Sequence, residues 1–86
     1  MRLRVYLWKL KRSIAADIVQ DVKAQTVENA IAAVMLTYDI ERAAYVWVVG
    51  LEDESLDVHR YNVVREDLMC QIALPPVPAQ GGRDGS

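Results

Sequence analysis

The chain has 86 residues, of which 52% are hydrophobic and 26% charged, and its formal net charge is −2. This length permits one domain, and the hydrophobic content excludes a disordered chain. The single cysteine excludes a disulfide-stapled scaffold, and no run approaches the roughly 20 apolar residues that a membrane helix needs. Arg and Lys interrupt every apolar run near the N-terminus. We therefore predict no signal peptide and expect a cytoplasmic protein without a membrane partner.

Charge is unevenly distributed along the chain. The first twelve residues carry +5 and no carboxylate, and the remainder carries −7, which together give −2. The five cations are Arg2, Arg4, Lys9, Lys11 and Arg12. Such segregation can mark a contact surface for an acidic partner or for phosphates. Alternatively, these cations protect an exposed edge strand, or they pair with Asp17 and Asp21 on a neighbouring strand.

The first two predicted elements are strands. Apolar and polar residues alternate from residue 3 to residue 11, which is the period-two pattern of a half-buried strand. One face of this strand carries Leu3, Val5 and Leu7, and the other carries Arg2, Arg4, Tyr6, Trp8 and Leu10. Residues 13–16 interrupt the pattern and are predicted to form a turn. A second strand is predicted over residues 17–24, although residues 18–22 could also be helical.

A helix is predicted to begin after Thr26. The Thr26 hydroxyl can accept a hydrogen bond from a first-turn N–H group, and Glu28 places an anion at the positive end of the helix dipole. Apolar residues then recur at helical spacing. They predict one buried stripe that consists of Val27, Ala30, Ile31, Val34, Met35 and Tyr38. Residues 38–40 are predicted to end the helix.

Two further strands are predicted, over residues 43–49 and 56–64. Gly50 ends the first of them, and the acidic connection 51–55 is short enough for an antiparallel hairpin. The alternation within the first strand predicts a helix-facing side that consists of Ala44, Val46 and Val48, opposite Tyr45 and Trp47.

Residues 65–74 fit either a short helix or an extension of the sheet. Prolines follow, and residues 75–86 are predicted to form a Pro/Gly-rich disordered tail. We therefore predict a single α+β domain over residues 1–74 with the element order β-β-α-β-β. One helix packs on one face of a mostly antiparallel four-stranded sheet, and a short C-terminal element of undecided type follows.

One helix leaves the other face of such a sheet uncovered. The alternation assigns to that side a predicted interaction face that consists of Arg4, Tyr6, Trp8, Tyr45 and Trp47. Adjacent rings there would exceed the contiguous apolar surface of about a few hundred Å2 that is usual for a monomer. Three explanations fit this pattern. The C-terminal residues Leu68, Met69 and Ile72 fold back over the face, a second copy of the chain covers it, or a nucleic acid binds it.

Self-association is the leading hypothesis. Two such faces could stack, or two edge strands could pair, in a homodimer that serves as a non-enzymatic interaction module. The alternative is a single-stranded nucleic-acid-binding protein whose Tyr and Trp rings stack on bases. In that protein the phosphates would be contacted by Arg2, Lys9, Lys11 and Arg12. The acidic remainder of the chain, and the lack of the Gly-Phe-rich signature of RNA-binding sheets, favour the homodimer.

Few residues in the sequence point to catalysis or metal binding. His59 and Cys70 are the sole histidine and cysteine. They could form a nucleophile–base pair, but a surface histidine and a buried structural thiol are the expected roles. The acidic residues Glu52, Asp53, Glu54 and Asp57 lack the spacing of a calcium loop and predict a solvated turn. No Gly-rich phosphate loop is present. We predict no enzymatic activity, no cofactor and no metal site.

Overall fold

The computed structural model describes residues 1–72, which form a four-stranded antiparallel sheet and two helices. In chain order, the elements are β1 Arg2–Trp8, β2 Ile18–Lys23, α1 Val27–Thr37, β3 Arg42–Gly50, β4 Asp57–Val64 and α2 Arg65–Ile72. The predicted α+β fold with the order β-β-α-β-β is confirmed, and the undecided segment after β4 is helical up to residue 72. The predicted boundary at residue 74 and the predicted tail 75–86 lie outside the described residues.

Strand β1 lies inside the sheet, whose strand order is β2-β1-β3-β4. It pairs antiparallel with β2 on one side and with β3 on the other. Strands β2 and β3 therefore run parallel to each other, and α1 connects them across one face of the sheet. The hypothesis that the cations of β1 protect an edge strand is wrong, because β2 and β4 occupy the edges of the sheet.

The core lies between α1 and the sheet. The odd-numbered residues of β1 are fully buried there, as the alternation predicts, because successive side chains of a strand point to opposite faces. Each such aliphatic side chain contributes about 1.5–3 kcal/mol through burial. The main contributors are Leu3, Val5 and Leu7 of β1, Ile31, Val34 and Met35 of α1, and Val46 and Val48 of β3.

Both ends of α1 are capped by local sequence. The Thr26 hydroxyl accepts a hydrogen bond of 3.0 Å from the Asn29 N–H group, which confirms the predicted start. At the other end Asp39 has a φ of 55°, and the Ile40 N–H group donates to the Met35 carbonyl at 2.7 Å. This arrangement is a Schellman motif, which satisfies carbonyls that the end of a helix leaves free.

Tyr38 does not belong to the buried stripe of α1. It follows the last helical residue, is 45% exposed, and donates its hydroxyl to Gln20 Oε1 at 2.7 Å. The prediction that Tyr38 is buried is wrong because α1 ends one residue earlier. At that point the chain leaves the helical path, and Tyr38 contacts strand β2 through its hydroxyl instead of entering the core.

The alternation of faces is interrupted near the start of β3 and the end of β4. Ala43, and not the predicted Ala44, is fully buried in the core, where Val63 is also found. The pairing between β3 and β4 skips Ala44 and Asn62, and Asn62 has a φ of 53°, a left-handed conformation that Asn tolerates. This local reversal turns Ala43 toward α1.

Strand β1 is shorter than the predicted strand over residues 3–11. It ends at Trp8, and residues 9–17 form a loop longer than the predicted turn 13–16. The Asp17 carboxylate accepts a hydrogen bond of 2.7 Å from the Lys9 N–H group, which ties the two ends of the loop together. Leu10 consequently leaves the strand and is 90% exposed. We call residues 9–17 the cationic loop, because they carry Lys9, Lys11 and Arg12.

Helix α2 lies on the same side of the sheet as α1. The two helices contact each other, and Leu68 packs against the core cluster. The explanation that the C-terminal residues cover the opposite face is therefore wrong for Leu68 and Met69, while the side chain of Ile72 lies outside the described part. Cys70 is exposed on α2, which corrects the expectation of a buried thiol. Neither helix of the described region has the length and apolar character required to cross a membrane.

Candidate interaction surface

The sheet surface opposite α1 carries the aromatic side chains of β1, β3 and β4 and is called here the aromatic face. The strand registers arrange its rings in two rows that cross the sheet. The first row consists of Tyr6, Trp47 and His59, and the second consists of Trp8, Tyr45 and Tyr61. The structure thus brings together the predicted residues of this side, Arg4, Tyr6, Trp8, Tyr45 and Trp47, on one surface.

The rings of the first row are stacked on one another. The centroids of Tyr6 and Trp47 are 4.6 Å apart with an interplanar angle of 22°, and those of Trp47 and His59 are 5.9 Å apart at 7°. In the second row, the Tyr45 centroid lies 5.0 Å from those of both Trp8 and Tyr61, with tilted rings. Such cross-strand pairs stabilise a sheet, and each aromatic pair adds about 0.5–1.5 kcal/mol beyond its burial.

His59 connects the two rows through a hydrogen bond to Tyr45 and a close contact with Asp57. Its Nε2 lies 3.1 Å from Asp57 Oδ1, which also accepts a hydrogen bond of 2.6 Å from the Trp47 indole N–H group. The other ring nitrogen, His59 Nδ1, is hydrogen-bonded to the Tyr45 hydroxyl. The polar atoms of three rings are satisfied in this way, so the rings hold defined orientations.

The cationic loop covers one half of the aromatic face. The Trp8 indole N–H group donates to the Ser13 carbonyl at 3.1 Å, and the Arg12 guanidinium carbon lies 4.7 Å from the centroid of the Tyr45 ring. Trp8 and Tyr45 are consequently only 5% and 2% exposed. The prediction of a fully uncovered face is therefore wrong for this half, because the chain between β1 and β2 folds back over it.

The other half of the face remains open within residues 1–72. Tyr6 and Trp47 are half-buried, and Val19, beside Tyr6 on β2, is 52% exposed. At the β4 edge, Tyr61 is 66% exposed although it contacts Tyr45. Val19, Tyr6 and Trp47 form an apolar and aromatic strip across three strands, and the exposed Tyr61 ring lies at the end of the second row. Together they give a surface suited to contact with another molecule.

Arg4 and Asp21 form a bidentate ion pair across β1 and β2. Arg4 Nε and Nη2 donate to the two Asp21 carboxylate oxygens at 2.7 and 3.1 Å. The hydrogen bonds from Arg4 hold the pKa of the Asp21 carboxyl below its usual value, and Asp21 raises the pKa of the Arg4 guanidinium in return. The cross-strand pairing hypothesis is confirmed for this pair, which leaves Arg4 with its charge balanced on the face.

The remaining predicted contact cations occupy different places. Lys9, Lys11 and Arg12 lie in the cationic loop and are exposed, whereas Arg2 lies at the far end of β1, opposite Lys23. Arg2 is thus separated from the loop by the length of the strand. The first twelve residues therefore do not form one continuous cationic patch.

Sequence reasoning missed His59 and Tyr61 as members of the aromatic face. Their signal is the alternation Asp57, His59, Tyr61 along β4, which places the three side chains on the side of Tyr45 and Trp47. His59 and Cys70 do not form a pair, because β4 presents His59 on the aromatic face while α2 packs with α1 on the other side. Within the part of the chain that is described, no group of three or more potential ligands could hold a metal ion.

Comparisons with known proteins supply no relative. No protein-family model, no curated protein and no solved structure matches this chain.

Proposed function

We propose that this protein is a non-enzymatic interaction module that forms a homodimer through its aromatic face. The observation that supports the proposal is the exposure of rings on this face. Tyr6 and Trp47 of the open half and Tyr61 at the β4 end of the second row reach solvent with no helix above them in residues 1–72. Tyr and Trp are enriched at protein interfaces because they bury large area and also offer a polar atom. Stacking two such faces would remove the rings from water.

The rigidity of the rings also favours association with a protein surface. Tyr6 and Trp47 are stacked, and the Trp47 indole is bonded to Asp57, so these side chains are ordered before any partner arrives. Ordering a side chain at an interface costs about 0.5–1.5 kcal/mol. An interface built from preordered rings avoids much of that cost.

Nucleic-acid binding remains the alternative proposal, and the ring geometry favours it less. A base that binds by stacking needs a free ring face. The Trp47 ring already lies between Tyr6 and His59, so a base would have to separate existing stacks. The cations beside the face are also few, since Arg4 is paired with Asp21 and Arg12 lies on the Tyr45 ring.

The oligomeric state tests the homodimer directly. We expect size-exclusion chromatography with light scattering to give a dimer mass for the native protein. Tyr61→Ala should shift the equilibrium toward monomer, because Tyr61 is the most exposed ring of the face. Tyr38→Ala is the matched control, since Tyr38 is exposed beside α1, and it should leave the dimer unchanged. A native protein that stays monomeric at high micromolar concentration would contradict the proposal.

An oligonucleotide titration tests the alternative. Trp47 is half-buried, so a base that stacks there should quench tryptophan fluorescence. Phosphate-driven binding is strongest at low salt, where the titration should be performed. Binding that weakens in a Lys9→Gln/Lys11→Gln variant would support the nucleic-acid alternative. The absence of quenching at low salt would rule out this mode of binding.

A further inference from the structure

Strand β2 is an edge of the sheet, and its outer backbone groups are free within the described part of the chain. Met1 and Ala24 exchange two hydrogen bonds, so the antiparallel alternation directs the N–H and C=O groups of the even-numbered β2 residues toward β1. The same groups of Val19, Asp21 and Lys23 therefore point away from the sheet. An edge strand uses such groups to pair with a further strand.

Strand β4, the other edge, is less suited to such pairing. The pairing of β3 with β4 skips Asn62, whose φ is 53°, and an irregularity of this kind interrupts the row of free groups along an edge. Strand β2 pairs with β1 in unbroken register over its six residues and contains no proline. Its exposed charges, Asp21 and Lys23, have opposite signs, so they disfavour only a strand whose charges do not match them.

The charges along β2 match those of a second β2 strand. Lys23 lies opposite Arg2 on β1 and forms no ion pair among the residues that the structure describes. An antiparallel pairing of two β2 strands centred on Val22 places Lys23 opposite Asp21 of the other copy, and the two-fold axis repeats this contact. Asp21 then lies between Arg4 of its own chain and Lys23 of the other, and its carboxylate has enough lone pairs to accept from both.

Two other registers also match the free backbone groups, and both are less favourable. Centring the pair on Asp21 opposes the two Asp21 carboxylates, and like charges directly opposite each other destabilise a strand pair. Centring it on Gln20 opposes Asp21 to Val19. That register also brings Lys23 to Asp17, which lies outside β2 and whose carboxylate already accepts a backbone hydrogen bond within the cationic loop.

Helix α1 leaves room for a second copy at this edge. It packs mainly on β1 and β2, and the groove between β2 and α1 is lined in part by Val22, Ala33, Val34 and Thr37. Neighbouring strands lie about 4.8 Å apart, so pairing two β2 strands brings the two α1 helices to roughly 10–13 Å from each other. Packed helices lie about 8–10 Å apart. The two helices therefore lie side by side without a clash and enclose both grooves.

We propose that two copies of this chain pair through their β2 edges and join their four-stranded sheets into one continuous antiparallel sheet. The two-fold axis passes between the two Val22 residues, and the two α1 helices lie next to each other on one side. This contact goes beyond the proposed homodimer, because it uses a sheet edge and not the aromatic face. Both aromatic faces lie together on the other side of the joined sheet and stay accessible, so the two contacts are compatible.

Engineered disulfides test the contact and its register. The background variant Cys70→Ser removes the exposed native thiol. In this background, Val22→Cys places two cysteines directly opposite each other at a Cα distance of about 4.5 Å, which a disulfide can span. We expect mild oxidation to cross-link this variant into a covalent dimer. Val19→Cys is the matched control on the same edge, because its two copies lie about 20 Å apart in this register and should not cross-link.

A second pair of variants makes the test independent of the partly buried Val22. Asp21 and Lys23 are exposed and lie opposite each other in the proposed register. A mixture of Asp21→Cys and Lys23→Cys, each in the Cys70→Ser background, should therefore form the mixed disulfide, which mass spectrometry identifies. Neither variant should cross-link alone, because its two copies are diagonal neighbours about 8 Å apart, beyond the reach of a disulfide.

Substitutions on α1 test the placement of the two helices. Ala33→Arg adds a long charged side chain beside the β2 edge, and we expect it to abolish the cross-link of Val22→Cys. Leu36→Arg adds the same side chain at an exposed position of α1 that does not line the groove, and it should leave the cross-link unchanged. Tyr61→Ala should also leave it unchanged, which distinguishes this contact from the aromatic-face homodimer. Circular dichroism should give native spectra for all variants.

Two outcomes would overturn the proposed edge contact. One is the absence of cross-linking both in Val22→Cys and in the mixture of Asp21→Cys with Lys23→Cys. The other is cross-linking of Val19→Cys to the same extent as Val22→Cys. Either outcome leaves the aromatic-face homodimer standing, and a failure of that homodimer leaves the edge contact standing.

Discussion

Individual side chains on the aromatic face are held by specific partners. Asp57 Oδ1 accepts from the Trp47 indole N–H group and lies 3.1 Å from His59 Nε2, and His59 Nδ1 is hydrogen-bonded to the Tyr45 hydroxyl. A buried aromatic residue with a polar atom needs such a partner, because an unsatisfied donor costs about 1–3 kcal/mol. The network explains how a sheet face without a covering helix keeps its rings in one arrangement.

Substitutions of Trp47 test how much its ring stacks and its hydrogen bond to Asp57 contribute to stability. Trp47→Ala removes two ring stacks and the donor to Asp57, and we expect a loss of about 2–3 kcal/mol in unfolding free energy, below the range for a fully buried Trp. Trp47→Phe keeps a stacked ring and should lose about 1 kcal/mol through the missing hydrogen bond. Urea denaturation measures both. Equal losses for the two variants would show that stacking contributes nothing here.

The Arg4–Asp21 pair predicts a pH dependence. Because Arg4 depresses the pKa of the folded-state Asp21 carboxyl, the pair contributes stability above the unfolded-state pKa of about 3.9, and this contribution is lost as pH falls through the folded-state pKa. Arg4→Gln should raise the Asp21 pKa toward the unfolded value, measured by NMR titration of the carboxyl carbon. The variant should also lose less stability than the native protein on acidification. An unchanged Asp21 titration would contradict the ion pair.

At the scale of elements, α1 is defined by its ends as much as by its apolar stripe. Thr26 caps the start, and the Schellman motif at Asp39 and Ile40 closes the end. Ile40 is 6% exposed, so the residue that completes the cap also joins the core. The helix length is thereby matched to the sheet that it covers, because the cap turns the chain into β3.

Thr26, the N-cap of α1, and Thr37, its last residue, allow a matched comparison of unfolding free energies. Thr26→Ala removes the cap acceptor and should lower the unfolding free energy by about 1 kcal/mol. Thr37→Ala should change it by less than about 0.5 kcal/mol, because the Thr37 hydroxyl only donates back to the Ala33 carbonyl on an exposed helix surface. Thermal denaturation of both variants measures the difference. A larger loss at Thr37 than at Thr26 would contradict the assigned cap.

The cationic loop makes the two halves of the aromatic face differ in exposure. It contributes no residue to the core cluster, yet it buries Trp8 and Tyr45 and leaves Tyr6 and Trp47 open. The loop thus divides the aromatic face into a closed half and an open half. The open half is the surface on which the proposed homodimer depends.

At the scale of the whole molecule, the helices cover only one face of the sheet and leave the other face without a second layer. The core lies on the α1 side, and the aromatic face is covered only in part within the described residues. Small domains bury a limited share of their surface and gain from covering exposed apolar area with a second subunit. Folding and association should therefore depend on different residues.

Alanine substitutions of Leu7 and Leu10 distinguish folding from association. Leu7 is fully buried in the core, so Leu7→Ala should lower the unfolding free energy by about 2–5 kcal/mol. Leu10 is 90% exposed on the cationic loop, so Leu10→Ala should leave the stability of the monomer unchanged and weaken the dimer. Denaturation at low protein concentration and light scattering at high concentration distinguish the effects. Destabilisation of the monomer by Leu10→Ala would contradict the loop geometry.

Local patterns predicted most of the fold but only part of the candidate surface. Period-two alternation in β1 identified both the buried Leu3, Val5 and Leu7 and the outward Tyr6 and Trp8. The signal failed where the strands depart from regular geometry, at Ala44 and Asn62, which the β3–β4 pairing skips, and there Ala43 is buried in place of Ala44. A side chain's face follows from spacing only while the strand remains regular.

The sequence by itself determined the four strands, helix α1 and the faces of residues in the regular parts of the strands, because helix caps, hydrophobic periods and turn residues act over a few neighbouring positions. Only the tertiary structure decided that β1 lies inside the sheet, that α2 packs beside α1 and that the cationic loop closes half of the aromatic face. These are contacts between segments distant in the chain. Their outcome depends on which surfaces remain free after the core has formed, and no local pattern contains that information.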